Sequence, residues 1–243
     1  MKVLVSDYDK TFYLNEEDIK RNKEAVRKFR ENGNLFGIAT GRSYLDLKAK
    51  IEKYNIEYDF IIINHGSTII GDSGEILYNF AIDPDIILKL KKELQIEENN
   101  VKYLNHKSEK KLTNIYFCCN KLDSRLDFSK NLTKVSIKYK NSIDVLPIIK
   151  NLKENFNNIN IYLVSHNTIE IISKEINKSK AIALIARHYN LDKKSIYTVG
   201  DGYSDVDMVR DYNGYAMDDS VHELKQIALK TVDSVSNIID EIM

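Results

Sequence analysis

Residues 1–14 read MKVLVSDYDKTFYL, an apolar run that leads directly into Asp7, Asp9 and Thr11. Residues 2–6 have the composition of a buried strand, because three of the five are Val or Leu. A strand that runs into a polar cluster is typical of open parallel sheets, in which ligands bind at the carboxyl ends of the strands. We therefore predict a core strand whose end carries part of a binding site.

The composition argues against several classes of function. The 243 residues include 36 Lys plus Arg and 36 Asp plus Glu, so the formal net charge of zero provides no basic field for nucleic acid or anionic lipid. No apolar run approaches the roughly 18 residues that span a bilayer, and Asp7 and Asp9 interrupt the first run before a signal peptide could form. The only cysteines, Cys118 and Cys119, are adjacent, which does not suit a disulfide framework. We expect a cytoplasmic protein that binds neither nucleic acid nor membrane.

Strand-like and helix-like segments alternate in the first and last thirds of the chain. The predicted strands are 2–6, 35–39, 60–63, 196–199, 215–217 and 231–232, and the predicted helices are 16–32, 43–54, 178–189, 204–209 and 221–228. Such alternation predicts a parallel sheet with helices on its faces. Residues 68–70 and 76–79 flank GDSGE, which indicates a hairpin.

The middle of the chain has a different pattern. The segments NIYFCC, KVSIKY and NINIYLV alternate like strands with one solvent-facing side, and helices are predicted at 86–94 and 143–155. The sequence therefore predicts an α/β core made of residues 1–82 and 170–243, with an α+β domain inserted at residues 83–169.

Four predicted core strands end in polar clusters. These are DYDKT at residue 7, Thr40-Gly41-Arg42, NHGS at residue 64 and GDGYSD at residue 200. Because the carboxyl ends of parallel strands share one edge of the sheet, the four clusters should converge on one crevice.

Residue types in this crevice indicate both a cation and an anion. Asp7, Asp9, Asp201 and Asp205 would place several carboxylates together, which requires a cation or protonation, and an all-oxygen ligand set favours Mg²⁺ or Ca²⁺. The remaining residues indicate an anion. A divalent metal beside a phosphate implies phosphoryl chemistry.

The anion would lie against Thr40, Gly41 and Lys178. Thr40 offers a hydroxyl and Gly41 an approachable N–H at a predicted helix N-terminus, where the helix dipole attracts phosphate. Lys178 also begins a predicted helix, a position that disfavours a cation unless an anion is near. Lys174 and Lys180 are close in sequence and could serve instead.

The ordered set D-x-D-x-T, T-G-R, a lone Lys and G-D-G-x-x-D resembles the haloacid dehalogenase (HAD) superfamily. The motifs extend from the first residues to the region before the last helix. Only 28 residues separate Thr11 from Thr40, whereas 135 separate Arg42 from Lys178, so the insertion lies in the second gap. That arrangement resembles subfamily IIB, the Cof-type phosphatases, and implies a Rossmann-like HAD core with an inserted cap of the C2B type.

The resemblance implies a role for each motif residue. Asp7 would be the nucleophile that forms an aspartyl phosphate, and Asp9 the general acid and then the base toward water. Mg²⁺ would be held by the Asp7 carboxylate, the Asp9 backbone carbonyl and Asp201, with Asp205 in support. The residues implied in phosphate or substrate binding are Thr40, Gly41, Arg42, Asn64 and Lys178.

Three positions depart from the family pattern. Ser204 stands where Asn is frequent, His65 lies in NHGS where NGA is common, and Asp219 replaces an Asn in AMDDS. Serine can still donate a hydrogen bond, so we expect activity to be retained.

The sequence thus predicts a Mg²⁺-dependent phosphohydrolase of a small phosphorylated metabolite, either a sugar phosphate or a phosphorylated cofactor, that is a monomer or a dimer. A phosphomutase or phosphotransferase is the first alternative, since the same residues could pass the phosphoryl group to a second hydroxyl. A signalling domain that only accepts phosphate ranks last, because receiver domains are much shorter than this chain.

Overall fold

The computed structural model describes residues 1–94, 112–119, 132–139 and 143–243, with the backbone alone described for Leu112–Cys119. The chain forms two compact units. One comprises Met1–Tyr78 and Asn177–Met243, and the other comprises Asn79–Ile176. The predicted α/β class is confirmed, since the first unit contains a large, mainly parallel sheet.

The strands fall in both units and are numbered in chain order. They are β1 (Val3–Ser6), β2 (Leu35–Ala39), β3 (Phe60–Ile63), β4 (Thr68–Gly71), β5 (Ile76–Asn79), β6 (Leu112–Cys119), β7 (Leu132–Tyr139), β8 (Ile159–Ser165), β9 (Thr168–Ser173), β10 (Ile196–Gly200), β11 (Asn213–Met217) and β12 (Lys230–Val232).

The helices are numbered in the same way. They are α1 (Glu16–Glu31), α2 (Tyr44–Tyr54), α3 (Pro84–Glu93), α4 (Leu146–Asn155), α5 (Lys178–His188), α6 (Val206–Asp211), α7 (His222–Ile227) and α8 (Val235–Ile242). None of the helices in the described ranges is both long enough and apolar enough to cross a membrane.

The eight-stranded sheet has the order β12-β11-β10-β1-β2-β3-β4-β5. Strands β1, β2, β3, β10, β11 and β12 run parallel, and β4 pairs antiparallel with β3. The chain moves from β1 toward β3 on one side, and from β10 toward β12 on the other. The carboxyl end of β1 therefore lies at a switch point, the position where parallel sheets form their ligand crevice.

Side-chain caps fix where the site-bearing helices begin. Ser43 caps α2 and accepts a hydrogen bond from the Asp46 N–H, and Asn177 caps α5 by accepting from the Lys180 N–H. These caps satisfy N–H groups that lack partners within the helix. Lys178 is consequently the first residue of α5.

A buried asparagine links the segment after β1 to α1 and α8 by hydrogen bonds. Asn22 of α1 donates to the carbonyl of Phe12 and accepts from the N–H of Ser236, which follows the first residue of α8. Because Asn22 is fully buried, both hydrogen bonds are shielded from water. These hydrogen bonds hold the loop that carries Asp7 and Asp9 against the two helices.

The second unit contains an antiparallel sheet in the order β6-β7-β9-β8, and α3 and α4 contribute to its hydrophobic cluster. The predicted strands at NIYFCC, KVSIKY and NINIYLV are confirmed as β6, β7 and β8. The expected solvent-facing side is wrong for β7, which is buried almost throughout. Lys134 of β7 is buried and forms a 2.7 Å ion pair with Glu170 of β9. The pair compensates the charge of each buried side chain.

Candidate active site

The segment after β1 extends the sheet by one residue and then turns sharply. The Asp7 N–H donates to the Val199 carbonyl at 2.9 Å, which continues the pairing with β10. The Phe12 N–H then returns to the Asp7 carbonyl, and Lys10 occupies the left-handed region at φ 61°. Asp7 is 7% exposed, whereas the side chain of Asp9 is half exposed. The turn thus presents one buried and one accessible carboxylate.

Lys178 joins two parts of the chain in the site. Its Nζ lies 2.6 Å from Oδ1 of Asp7 and 2.6 Å from Oδ1 of Asp205, and the residue is only 1% exposed. Lys174 and Lys180 are both exposed. Among the three lysines, Lys178 is therefore the one that meets the nucleophile candidate.

Asp205 organises the loop after β10. Its Oδ2 accepts hydrogen bonds from the N–H groups of Asp201 and Gly202 at 3.1 and 3.0 Å, while its Oδ1 accepts from Lys178. A Cβ at Gly200 would lie 2.4 Å from the Cβ of Asp205, so glycine is required for this close approach. Asp205 thus holds Lys178 on one side and the backbone of the loop on the other.

Three carboxylates converge around that lysine. One oxygen from each of Asp7, Asp201 and Asp205 lies within 4.8 Å of the others. Thr11 donates its hydroxyl to Asp201 at 3.2 Å and so links the loop after β1 to this cluster. Three carboxylates and one ammonium carry a net charge of −2 when all are ionised. The oxygen donors and this charge fit a hard divalent cation such as Mg²⁺.

Burial and neighbouring charges shift the pKa values of Asp7, Asp201 and Lys178. Burial raises the pKa of Asp7 well above its ordinary value, against the opposing effect of Lys178. Burial and the Asp205 carboxylate raise the pKa of Asp201 to about 6. Burial lowers the pKa of Lys178, but Asp205 and Asp7 outweigh it and raise that pKa above its ordinary value. The positive charge of Lys178 therefore does not offset the effects of burial and repulsion on Asp7 and Asp201.

Asp9 and Arg42 form a separate pair beside this cluster. The Nε and Nη2 of Arg42 lie 2.7 Å from Oδ2 and Oδ1 of Asp9, respectively, which is bidentate geometry. The hydrogen bond to Asp9 raises the pKa of Arg42. Arg42, which the sequence placed with the substrate, thus contacts Asp9 in this structure.

The ends of β2 and β3 are tied together by their backbones. The Thr40 N–H donates to Ile62, the His65 N–H donates to Thr40, and the Asn64 N–H donates to Arg42. Thr40 and Asn64 are both buried. Since α2 begins at Tyr44, Thr40 and Gly41 precede the helix by a short loop rather than forming its first turn.

His65 packs against Gly41 at this edge. A Cβ on Gly41 would lie 2.5 Å from Cε1 of the His65 ring. Asn64, His65 and Gly66 all adopt positive φ, at 51°, 57° and 113°. Such a run is rare outside glycine, and it carries the residue whose ring lies against Gly41.

The structure brings Asp7, Asp201, Asp205 and Lys178 together. Asp9, two residues after Asp7, pairs with Arg42 instead. Ser204 reaches Oδ1 of Asp205 only at 3.5 Å, the outer limit of a hydrogen bond. Sequence reasoning missed the cap residue Asn177, whose Nδ2 also donates to Asp207 at 2.7 Å. An Asn immediately before a predicted helix was the available signal.

The family model of haloacid dehalogenase-like hydrolases matches residues 4–240 of this chain. The chain is 29% identical over 235 residues to an uncharacterized protein of Mycoplasma capricolum, covering 85% of this chain and 86% of that protein. It is 27% identical over 230 residues to a Buchnera aphidicola protein that bears the name "Putative phosphatase", covering 86% of this chain and 80% of that one.

Solved structures show the same fold. A "putative HAD/COF-like hydrolase" from Plasmodium vivax has a TM-score of 0.77 at 21% identity, covering 100% of this chain and 95% of that one. A haloacid dehalogenase-like hydrolase from B. subtilis has a TM-score of 0.79 at 15% identity and covers all of both chains. At these identities, the comparison with solved structures concerns the fold alone.

Proposed function

The chain belongs to the haloacid dehalogenase-like hydrolases of the Cof type, and we propose that it is a cytoplasmic, Mg²⁺-dependent phosphohydrolase of a small phosphorylated metabolite such as a sugar phosphate or a phosphorylated cofactor. The observation that carries the proposal is the buried Lys178 ammonium, 2.6 Å from Asp7 and from Asp205. A buried carboxylate at a central strand end, steadied by a lysine, suits attack on a phosphoryl group. The name of the Buchnera relative supports the same reaction class.

Asp7 would be the nucleophile. One of its carboxylate oxygens forms a bond to phosphorus, and the bond from phosphorus to the leaving oxygen breaks, which gives an aspartyl phosphate. Lys178 holds Oδ1, while Oδ2 accepts no hydrogen bond from any described residue. The ammonium of Lys178 reduces the repulsion that the carboxylate meets from the phosphate dianion.

Asp9 would move the protons. It donates a proton to the leaving oxygen, then accepts one from the water that attacks the aspartyl phosphate, and the bond between phosphorus and Asp7 breaks to release inorganic phosphate. The bidentate pair with Arg42 holds both oxygens of the Asp9 carboxylate, each 2.7 Å from a guanidinium nitrogen. As an acid, Asp9 must first exchange part of this pair for the leaving oxygen.

The carboxylates of Asp7 and Asp201, with the backbone carbonyl of Asp9, would hold Mg²⁺. When bound, Mg²⁺ supplies positive charge that offsets the repulsion between the nucleophile and the phosphate. Both oxygens of Asp205 already accept hydrogen bonds, so we assign it mainly to supporting Lys178 and the metal-binding loop. Thr40, Gly41 and Lys178 would bind the phosphate, with Arg42 and Asn64 at the substrate side.

Phosphate release tests this function. We would measure it with p-nitrophenyl phosphate and a panel of phosphorylated metabolites, with Mg²⁺ and with EDTA, for the native chain and for Asp7→Asn. Loss of the nucleophile should lower kcat by about 10³-fold or more. Full activity of Asp7→Asn, or release that EDTA leaves unchanged, would contradict the mechanism. A phosphorylated second product in place of free phosphate would establish a mutase or phosphotransferase.

A further inference from the structure

Tyr8 lies between Asp7 and Asp9 in the sequence and has no part in the proposed chemistry. Its side chain is fully buried. The ring is parallel to that of Tyr13, with an interplanar angle of 9° and centroids 6.1 Å apart, and it packs against Phe12 with centroids 6.5 Å apart. Because aromatic neighbours enclose it, the Tyr8 ring is a rigid surface rather than a mobile side chain.

Arg42 lies over this surface. The guanidinium carbon of Arg42 is 5.5 Å from the centroid of the Tyr8 ring, within the range of a cation–π interaction. The same guanidinium forms the two 2.7 Å hydrogen bonds to Asp9. A planar group with an aromatic contact and a bidentate carboxylate is restrained in both position and tilt.

We propose that Tyr8 is a positioning residue, whose ring fixes the guanidinium of Arg42 so that Arg42 holds the Asp9 carboxylate in place. The role rests on the proposed function, in which Asp9 transfers the protons. Tyr8 does not touch the reacting atoms, and its effect passes through Arg42. Small displacements of a proton-transferring group are costly, because catalysis requires the group within hydrogen-bonding reach of its target.

The hydroxyl of Tyr8 does not account for its presence. It is buried, and no described residue forms a hydrogen bond with it. A buried hydroxyl without a partner is unfavourable compared with a plain ring. What distinguishes Tyr8 from an aliphatic core residue is therefore the ring face toward Arg42, which phenylalanine would keep and leucine would lose.

A double-mutant cycle tests the role. We would measure kcat and KM for phosphate release by the native chain, Tyr8→Leu, Arg42→Met and the double variant. Tyr8→Leu should lower kcat by about 2- to 30-fold, the range expected for a cation–π contact, with a smaller change in KM. If Tyr8 acts through Arg42, Tyr8→Leu should have little further effect in the Arg42→Met background.

Two further variants separate positioning from core packing. Tyr8→Phe should restore native kcat, because it keeps the ring face. Phe36→Leu makes the same kind of truncation in the same core cluster, so it should lower the melting temperature as Tyr8→Leu does while keeping kcat. Losses that multiply in the double variant, or an equal kcat loss in Phe36→Leu, would overturn the role while the phosphatase assignment stands. Absence of turnover in the native chain would overturn the phosphatase assignment, and the role of Tyr8 with it.

Discussion

At Lys178 a single ammonium group balances two buried carboxylates, so its removal should affect both folding and chemistry. We predict that Lys178→Met lowers kcat by at least about 10²-fold, the scale for losing one group that stabilises transition-state charge. Stability should fall by about 3–5 kcal/mol, the usual cost of breaking a buried pair from one side. Steady-state kinetics with urea unfolding would measure both effects.

The matched control for this variant is Lys180→Met, which removes an exposed lysine from the same helix. It should leave kcat and stability nearly unchanged, since exposed charges contribute little. Native activity in Lys178→Met, or a comparable loss in Lys180→Met, would show that the wrong lysine has been assigned to the phosphate.

Gly41 has no room for a side chain. A Cβ would lie 2.5 Å from the buried His65 ring, so Gly41→Ala should push the loop that carries Thr40 and Arg42 out of position. We predict a loss of about 1–3 kcal/mol in stability, as for other overpacked sites, and about a 10- to 100-fold loss in kcat/KM, since misplaced binding groups are costly.

Rescue distinguishes this clash from other effects of alanine. Combining Gly41→Ala with His65→Ala removes the obstructing ring and should recover part of the lost melting temperature relative to Gly41→Ala alone. If the double variant is no more stable than expected from adding the single changes, the steric explanation is wrong.

At the scale of elements, the N-cap Asn177 sets where α5 begins and therefore where its first residue, Lys178, lies. Asn177 accepts from the Lys180 N–H and also donates to Asp207 at 2.7 Å, which ties α5 to α6. We predict that Asn177→Ala lowers stability by about 1 kcal/mol, a typical cap loss. It should also lower kcat several-fold, because the Lys178 ammonium would shift relative to Asp7.

The chain provides a matched cap away from the site. Asn15 caps α1 with nearly the same backbone angles, φ −153° and ψ −179° against φ −155° and ψ −179° at Asn177. Asn15→Ala should therefore cost similar stability while kcat stays native. Equal kcat values for the two variants would mean that the start of α5 does not position Lys178.

Elements and site were predictable from sequence to different degrees. The parallel strands and their polar ends were predictable, because apolar runs followed by Asp7, Thr40 or Asp201 follow local rules of burial and strand direction. The pairing of Asp9 with Arg42 was not, because it depends on side-chain directions set by packing across 33 positions. The role of Tyr8 was not predictable either. Successive residues of a strand point to opposite faces, so a residue between two site aspartates is expected to point away from the site and to belong to the core.

At the scale of the whole molecule, a chain of zero net charge concentrates negative charge at one sheet edge. Oxygens of Asp7, Asp201 and Asp205 lie within 4.8 Å of one another, and Lys178 forms ion pairs with Asp7 and Asp205. The sheet order causes this concentration, because β1 and β10 are neighbours and both end there. A folded state that holds three carboxylates together gains stability from a cation that binds it and not the unfolded chain.

Mg²⁺ should therefore raise the melting temperature, a readout independent of turnover. A ligand at about 100 times its Kd adds about 2.7 kcal/mol, which corresponds to about 5–10 °C for a chain of this size. Asp201→Asn should lose most of the Mg²⁺-dependent shift. Asp72→Asn, which removes an exposed carboxylate from the turn between β4 and β5, should keep it. Equal shifts in the two variants would place the metal outside the cluster of Asp7, Asp201 and Asp205.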